Sequence, residues 1–233
     1  RLAPSRRAGG ADRAAQPLHL LGAQVPRFSR PQVAQRQARV PDALQPQHGM
    51  PHRLEHPPHL VLAANSVADC LGTTQWAVQL AEALQTPAIV LSDQFLGQAR
   101  SVVDRPEDFP AGCSRVTAEA GTPGYKRYAV TESGVSPMAI PGSAGLAYTA
   151  DGLEHAERGT PSSQASDHFA QLDKRRRKLT VHDYGARWAD LEGDPAADCA
   201  IVTFGSCTGP VREGLALAAS DGVTARLISL RLL

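Results

Sequence analysis

Most of the features that usually reveal a protein's chemistry are missing from these 233 residues. The four cysteines (Cys70, Cys113, Cys199 and Cys207) are far apart and form no C-x-x-C pair. That spacing argues against a zinc site or an iron–sulfur cluster held by this chain alone, and against a disulfide framework. They read as reduced thiols of a cytoplasmic protein. No apolar run approaches the ~20 residues needed to span a bilayer, and the basic N-terminus has no apolar stretch behind it as a secretory signal would. The formal net charge is only +1, so bulk electrostatics points to no nucleic acid, membrane or acidic partner. Aromatic residues are scarce, at 5%. Acidic residues are nearly lacking at the start, where only Asp12 and Asp42 precede Glu55.

What is present divides the chain. Residues 1–58 are dominated by Arg, Gln, Pro, His and Ala, and no apolar period persists in them. This composition fits a disordered tail. The abrupt change of character near His56 to Leu60 fits equally a segment translated out of its frame. Neither reading gives it a function. An RNA-binding arm built on Arg6 and Arg7 lacks interleaved aromatic residues.

Residues 59–97 read as a βαβ unit. HLVLAAN is a short apolar run closed by Asn65, as expected of a buried strand. Ser66 offers an N-cap with Asp69 three residues on. Trp76, Leu80, Ala83 and Leu84 then share one helical face, with Val67, Leu71, Val78 and Ala81 on a neighbouring one. A helix apolar over so much of its surface is expected between two layers. Thr86-Pro87 ends it, and AIVLSD (88–93) is the next strand. Asp93 stands at the strand's carboxyl end, where open α/β sheets bind ligands; strand-end Asp also commonly caps the following turn.

Residues 98–195 read as an irregular connection followed by a basic helix. Pro106, Pro110, Gly121, Pro123 and Gly124 break any period, so this part is expected to run over a surface. The densest convergent polar set lies here: Glu132, Glu154, His155, Glu157 and Arg158. Glu154-His155-Ala156-Glu157, with His168 nearby, could suggest a metal site. Sequence neighbours point different ways, however, and no H-E-x-x-H spacing occurs. A hydrogen-bonded polar cluster is the expectation. From Ser166 and Asp167 a helix begins in which Phe169, Leu172 and Leu179 recur near one face. The run Lys174 to Lys178 covers the others, as a solvated basic face near a helix end would. Residues 196–233 read as a second βαβ unit: DCAIVTFGS as a buried strand, Gly205 to Gly209 as a tight turn, Val211 to Ser220 as a helix, and VTARLISLRLL as the next strand. GSCTG has neither the Lys of a P-loop nor G-x-G-x-x-G spacing, so it reads as a plain βα turn rather than a phosphate cradle.

Three stretches, in order and at their spacing, carry a family resemblance: SDQFLGQAR (92–100), VTESGVSPMAIPG (130–142) and TADGLEHAERGTPSS (149–163). They resemble the alpha subunit of the 2-oxoacid:ferredoxin oxidoreductases, the 2-oxoglutarate type in particular, from about residue 57 onward. The resemblance implies an α/β fold in which 59–97 closes a thiamine-pyrimidine-type parallel-sheet domain and 196–233 opens a transketolase C-terminal-like one. That second domain is expected to be truncated at Leu233, the chain being a fragment. The resemblance further implies a subunit of an enzyme that oxidatively decarboxylates a 2-oxoacid, forms an acyl-CoA and passes electrons to ferredoxin. Thiamine diphosphate and Mg2+ would sit at the interface with a beta subunit, which also holds the iron–sulfur cluster. The family's Y-P-I-T-P-like and G-P-S-T-G-x-P-T-like motifs are not found, so no catalytic, cofactor-binding or metal residue is assigned, and the chain alone is expected to be inactive. Glu154, His155, Glu157 and Arg158 are expected at the substrate pocket or the subunit interface. Two other classes remain at this point: a non-enzymatic α/β interaction module docking through the irregular middle, and an RNA-binding protein using Arg6, Arg7 and the run from Lys174.

Overall fold

The computed structural model describes residues 59–105, 115–197 and 199–233, all within one compact unit, His52–Leu233. The expectations for residues 1–58 and for Cys113 lie outside these. The first βαβ unit consists of β1 (Leu60–Ala63), α1 (Asp69–Leu84) and β2 (Ala88–Leu91), with the two strands paired in parallel. A short helix, α2 (Gln94–Gln98), follows directly. No regular element then occurs among the described residues until α3 (Ala165–Thr180), so the connection is irregular, as its Gly and Pro content requires.

The C-terminal part holds β3 (Ala189–Glu192), β4 (Cys199–Phe204), α4 (Thr208–Ser220) and β5 (Ala225–Leu230). The sheet order is β3-β5-β4, with β4 and β5 parallel and β3 antiparallel to β5. β2 and β4 thus lie in two different sheets, each strand paired in parallel. Strand β3 falls inside the stretch read as connection and basic helix. Its four residues, ADLE, carry one large apolar side chain, too few for a period to show. Helix α4 starts at Thr208, three residues earlier than its apolar pattern indicates.

Local capping explains the first turn. Ser66 Oγ accepts the Asp69 N–H at 3.1 Å, and the Asp69 carboxylate accepts the Asn65 N–H at 2.9 Å, which satisfies one donor of the first helical turn and one of the chain entering it. Helix α1 ends where Gln85 takes a left-handed conformation, φ 47°, one residue before Thr86-Pro87. Its inner face, with Trp76, Ala77, Leu80 and Leu84, packs on Leu60 and Leu62 of β1 to form the core, against which Val135, Leu179, Tyr184 and Leu232 also lie.

Four expectations about burial are corrected. Helix α1 is not sandwiched between layers, because Leu71 and Val78 on its second face are exposed. Strand β4 is not the buried strand expected: Ile201, Val202 and Phe204 are exposed, as are Ile89, Val90 and Leu91 of β2. Phe169 is exposed as well, so Leu172 and Leu179 carry the apolar face of α3. The basic run of α3 is not wholly a solvated face: Lys174 is 6% exposed, Arg175 and Arg177 are bound to the connection and Lys178 to Gln85 O, while Arg176 stays exposed.

The two sheets are stitched together by the residues after β5. Ala63 N–H donates to Arg231 O at 2.8 Å, and Leu233 N–H to Val61 O at 3.0 Å. Arg231 pairs with Asp69 at 2.9 Å and also with Asp190, and Asn65 Nδ2 donates to Ser229 O at 3.1 Å.

Candidate functional site

Two places collect polar chemistry. The first lies at the carboxyl ends of β1, β2 and β4, which converge on a cleft of about 300 Å³ lined by residues including Ala63, Leu91, Asp93, Phe204 and Cys207. Asp93 is the N-cap of α2, its Oδ1 accepting the Leu96 N–H at 2.9 Å. Its Oδ2 accepts the Ser206 N–H at 3.1 Å. Both expectations for this residue therefore meet: it caps a turn, and it stands at the mouth of a cleft. The Leu96 N–H first, and then Ser206, hold its carboxyl below the usual carboxylate range. The GSCTG turn joins β4 directly to α4 as a βα connection, with its Ser206 N–H bound to Asp93.

The second place is the polar cluster that the connection builds against α3. Two hydrogen bonds close the loop around residues 154–162: Ala156 N–H to Thr160 O at 2.9 Å, and Ser162 N–H to Glu154 O at 2.8 Å. Gly159 turns it with φ +96°, and a Cβ there would lie 3.3 Å from Thr149 N and 3.5 Å from the Tyr128 ring. The glycine of the E-H-x-E-x-G stretch is therefore set by close packing as well as by backbone geometry.

The loop sends its side chains in different directions. Glu154 faces α3, where Arg175 donates to Oε1 and His168 Nδ1 lies 2.9 Å from Oε2. Burial alone would raise its carboxyl, but these bonds from His168 and Arg175 outweigh that and hold it below the usual range. His155 turns the other way, 4% exposed, its ring stacked on Tyr128 with centroids 4.4 Å apart and planes 3° from parallel. Its Nε2 lies 3.1 Å from Asp151 Oδ1 yet has no hydrogen-bond partner among the described residues. The pair is thus an electrostatic contact without hydrogen-bond alignment. Glu157 accepts from Val130 N–H at 3.3 Å and lies 3.4 Å from Lys126 Nζ. Arg158 is exposed. Glu132, also singled out from sequence, is exposed on the same connection.

Of the four residues singled out as a site, the structure gathers Glu154, His155 and Glu157 around Tyr128 and α3, and leaves Arg158 outside. The partners that sequence reading missed are Tyr128, Asp151, Arg175 and Lys174. A signal for the helical ones was available: His168, Gln171, Arg175 and Lys178 recur at three- and four-residue spacing, which places them on one face of α3. Gln171 Nε2 donates to Tyr128 O at 2.9 Å, Arg177 to Thr131 O at 2.8 Å, and Lys178 Nζ to Gln85 O at 3.1 Å. The basic run is therefore a clamp that binds carbonyls of the connection and of the α1 terminus. Among the described residues no group of three or more His, Cys, Asp or Glu converges as a metal site, and no helix is long and apolar enough to cross a membrane.

Comparison with known proteins adds identity to this geometry. The family described as pyruvate flavodoxin/ferredoxin oxidoreductase, thiamine diphosphate-binding, matches residues 33–174. The alpha subunit of 2-oxoacid:ferredoxin oxidoreductase 2 from Aeropyrum pernix is 34% identical over 185 residues, covering 76% of this chain and 28% of its own length. The 2-oxoglutarate oxidoreductase subunit KorA of Mycobacterium tuberculosis is 31% identical over 182 residues, 76% of this chain and 27% of its own. A solved 2-oxoglutarate:ferredoxin oxidoreductase from Magnetococcus marinus, with 2-oxoglutarate, coenzyme A and succinyl-CoA bound, superposes with a TM-score of 0.65 at 36% identity. That match covers 76% of this chain and 31% of the other. This chain spans less than a third of the length of these three proteins. With an α/β fold built on parallel strands and a family match over more than half its length, the chain belongs to the thiamine diphosphate-binding pyruvate flavodoxin/ferredoxin oxidoreductase family, whose members named above are subunits of oxidoreductases.

Proposed function

We propose that the chain serves as part of the alpha subunit of a 2-oxoglutarate-type 2-oxoacid:ferredoxin oxidoreductase. In this reading the complex decarboxylates the 2-oxoacid, forms its acyl-CoA and passes electrons to ferredoxin in the cytoplasm. The observation that carries it is the 36% identity, over 76% of the chain, to a solved enzyme holding 2-oxoglutarate and coenzyme A. The order of the β1-α1-β2 unit, the irregular connection and the β4-α4-β5 unit supports reading residues 59–97 as the end of a pyrimidine-binding domain and 196–233 as the start of a transketolase C-terminal-like one.

The family's name implies thiamine diphosphate, and the cleft at the strand ends does not fit a holder of its diphosphate. The cleft at the strand ends is lined by no Lys or Arg, and its one carboxylate, Asp93, is committed to the N–H groups of Leu96 and Ser206. The diphosphate, Mg2+ and the iron–sulfur cluster are accordingly assigned to a beta subunit, and the chain by itself is inactive. In the proposal Glu154, His155 and Glu157 stiffen the surface that faces the beta subunit or the substrate pocket, with exposed Arg158 the one of the four free to touch a partner or an anion.

The test is electron transfer to a viologen dye by the complete complex, supplied separately with 2-oxoglutarate, pyruvate and a branched-chain 2-oxoacid, with and without coenzyme A. Preferential turnover of 2-oxoglutarate that requires coenzyme A is expected. Equal rates on all three acids would refute the substrate assignment. His155→Ala in the same complex should lower assembly or turnover, and wild-type values for both would remove its role.

A further inference from the structure

Lys174 sits in the wrong surroundings for a cation. Its ammonium is buried on the inner face of α3, and its one hydrogen-bond contact among the described residues is Gln171 Oε1 at 3.5 Å, the outer limit of such a bond. It lies 6.0 Å from the centre of the Tyr128 ring. Other charges face it from each packed element: Arg175 and Lys178 on α3, and Arg127 and Glu157 on the connection. Glu157 is engaged with Lys126 and the Val130 N–H, and Arg175 with Glu154. Three cations thus surround a fourth, with one shared carboxylate.

What buries Lys174 is the connection itself. Gly134 lies directly on the α3 backbone beside the Lys174 carbonyl and the Lys178 amide. Gln171 and Arg177 bind the carbonyls of Tyr128 and Thr131, so residues 125–136 lie as a strip over the lysine. Lifting that strip would return the ammonium to water and separate it from Arg127.

We propose that residues 125–136 form a proton-operated cover on α3, seated while Lys174 is neutral and released when its Nζ takes a proton from solvent. Burial first, then Lys178, Arg127 and Arg175, push the Lys174 ammonium down to about 7, and burial followed by Arg127 and Arg175 pushes Lys178 down to about 8. A lysine of α3 uncovered by the released strip returns toward its ordinary value of 10.5. The seated form therefore gains stability as pH rises from about 7 toward 10.5, and the effect levels off below about 7. Between pH 8 and 7 one proton separates the two forms, which makes release up to about tenfold easier across that unit. Above 8 the second lysine adds its own dependence. The cover is also the platform on which the His155–Tyr128 stack rests, so its release would loosen that cluster while leaving the α1–β1 core in place.

The test is amide hydrogen exchange of the full chain at pH 6.0, 7.0, 8.0 and 9.0, each rate divided by its intrinsic value, read on peptides within 126–138 and on peptides of α1. The opening constant of the 126–138 peptides should fall about tenfold from pH 7 to 8, fall further at 9, and change by only about twofold between 6 and 7, with α1 flat throughout. Lys174→Met should cut the change between pH 7 and 8 to about twofold, the part left to Lys178, and lower opening at pH 7; Lys174→Arg should hold the strip open at every pH. A wild-type opening constant independent of pH from 7 to 9 overturns the proposal, as does an equal response in α1. A Lys174→Met variant with the wild-type slope overturns it too. The wild-type series decides the matter even if a variant does not fold.

Discussion

The docking of the connection on α3 depends most sharply on Gly134, and Gly134→Ala puts a number on it. At φ +77° an alanine is strained by about 1–2 kcal/mol. Its Cβ would also lie 2.5 Å from Lys174 O and 2.6 Å from Lys178 N, atoms of a helical backbone that cannot move aside. The strip must then retreat, weakening the bonds from Gln171 to Tyr128 O and from Arg177 to Thr131 O, each worth about 1 kcal/mol, and loosening Val135 on the core. The total is about 3–5 kcal/mol. Gly124→Ala is the control, because Gly124 also has positive φ, +64°, but open space where the Cβ would go; backbone strain alone predicts about 1–2 kcal/mol there. In a chain of this size each kcal/mol lowers Tm by roughly 2–4 °C. Thermal unfolding followed by circular dichroism should show Gly134→Ala falling by about 6–20 °C and Gly124→Ala by about 2–8 °C. Equal losses at the two positions would mean that the close approach of the strip to α3 contributes nothing.

Two further substitutions probe other parts of the account. Glu154→Gln removes the charge that binds Arg175 and His168 and should cost about 1–2 kcal/mol at pH 7. Because the folded carboxyl is held below its ordinary value of 4.5, that stabilisation is complete above 4.5 and is lost as pH falls through the folded value, so urea midpoints of variant and wild type should converge in acid. Val202→Lys places a charge on β4, whose apolar edge is exposed, Val202 by 59%. Such an edge invites pairing with other chains, so light scattering of the variant should show less self-association, and an unchanged particle size would mean that this edge is not where chains meet.

Elements were legible where one period dominates a stretch. The two βαβ units and their parallel pairing follow from continuous apolar runs, LVLA and AIVL or CAIVTF, set against helical spacing in α1 and α4. Strand β3 was not legible, because it takes its place from pairing with β5 rather than from its own pattern. Burial was misjudged for β4 because apolar runs report what a sheet could bury, not what packs on its faces. The polar cluster was half legible: Glu154, His155 and Glu157 stand close in sequence, whereas Tyr128 and the clamp on α3 join them only through tertiary packing. The fate of the basic run turned on Gly134, since only a residue without a Cβ lets the connection lie close enough to cover Lys174.

The central claim, that this chain works within an alpha subunit, is tested most directly by co-expressing the tagged full chain with a beta-type subunit of the family and weighing what is retained. The account predicts a stable stoichiometric complex that carries the partner's iron–sulfur absorbance and is weakened by Arg158→Glu. Recovery of the tagged chain without the beta subunit, under conditions where the alpha subunit of a relative retains it, would contradict the claim.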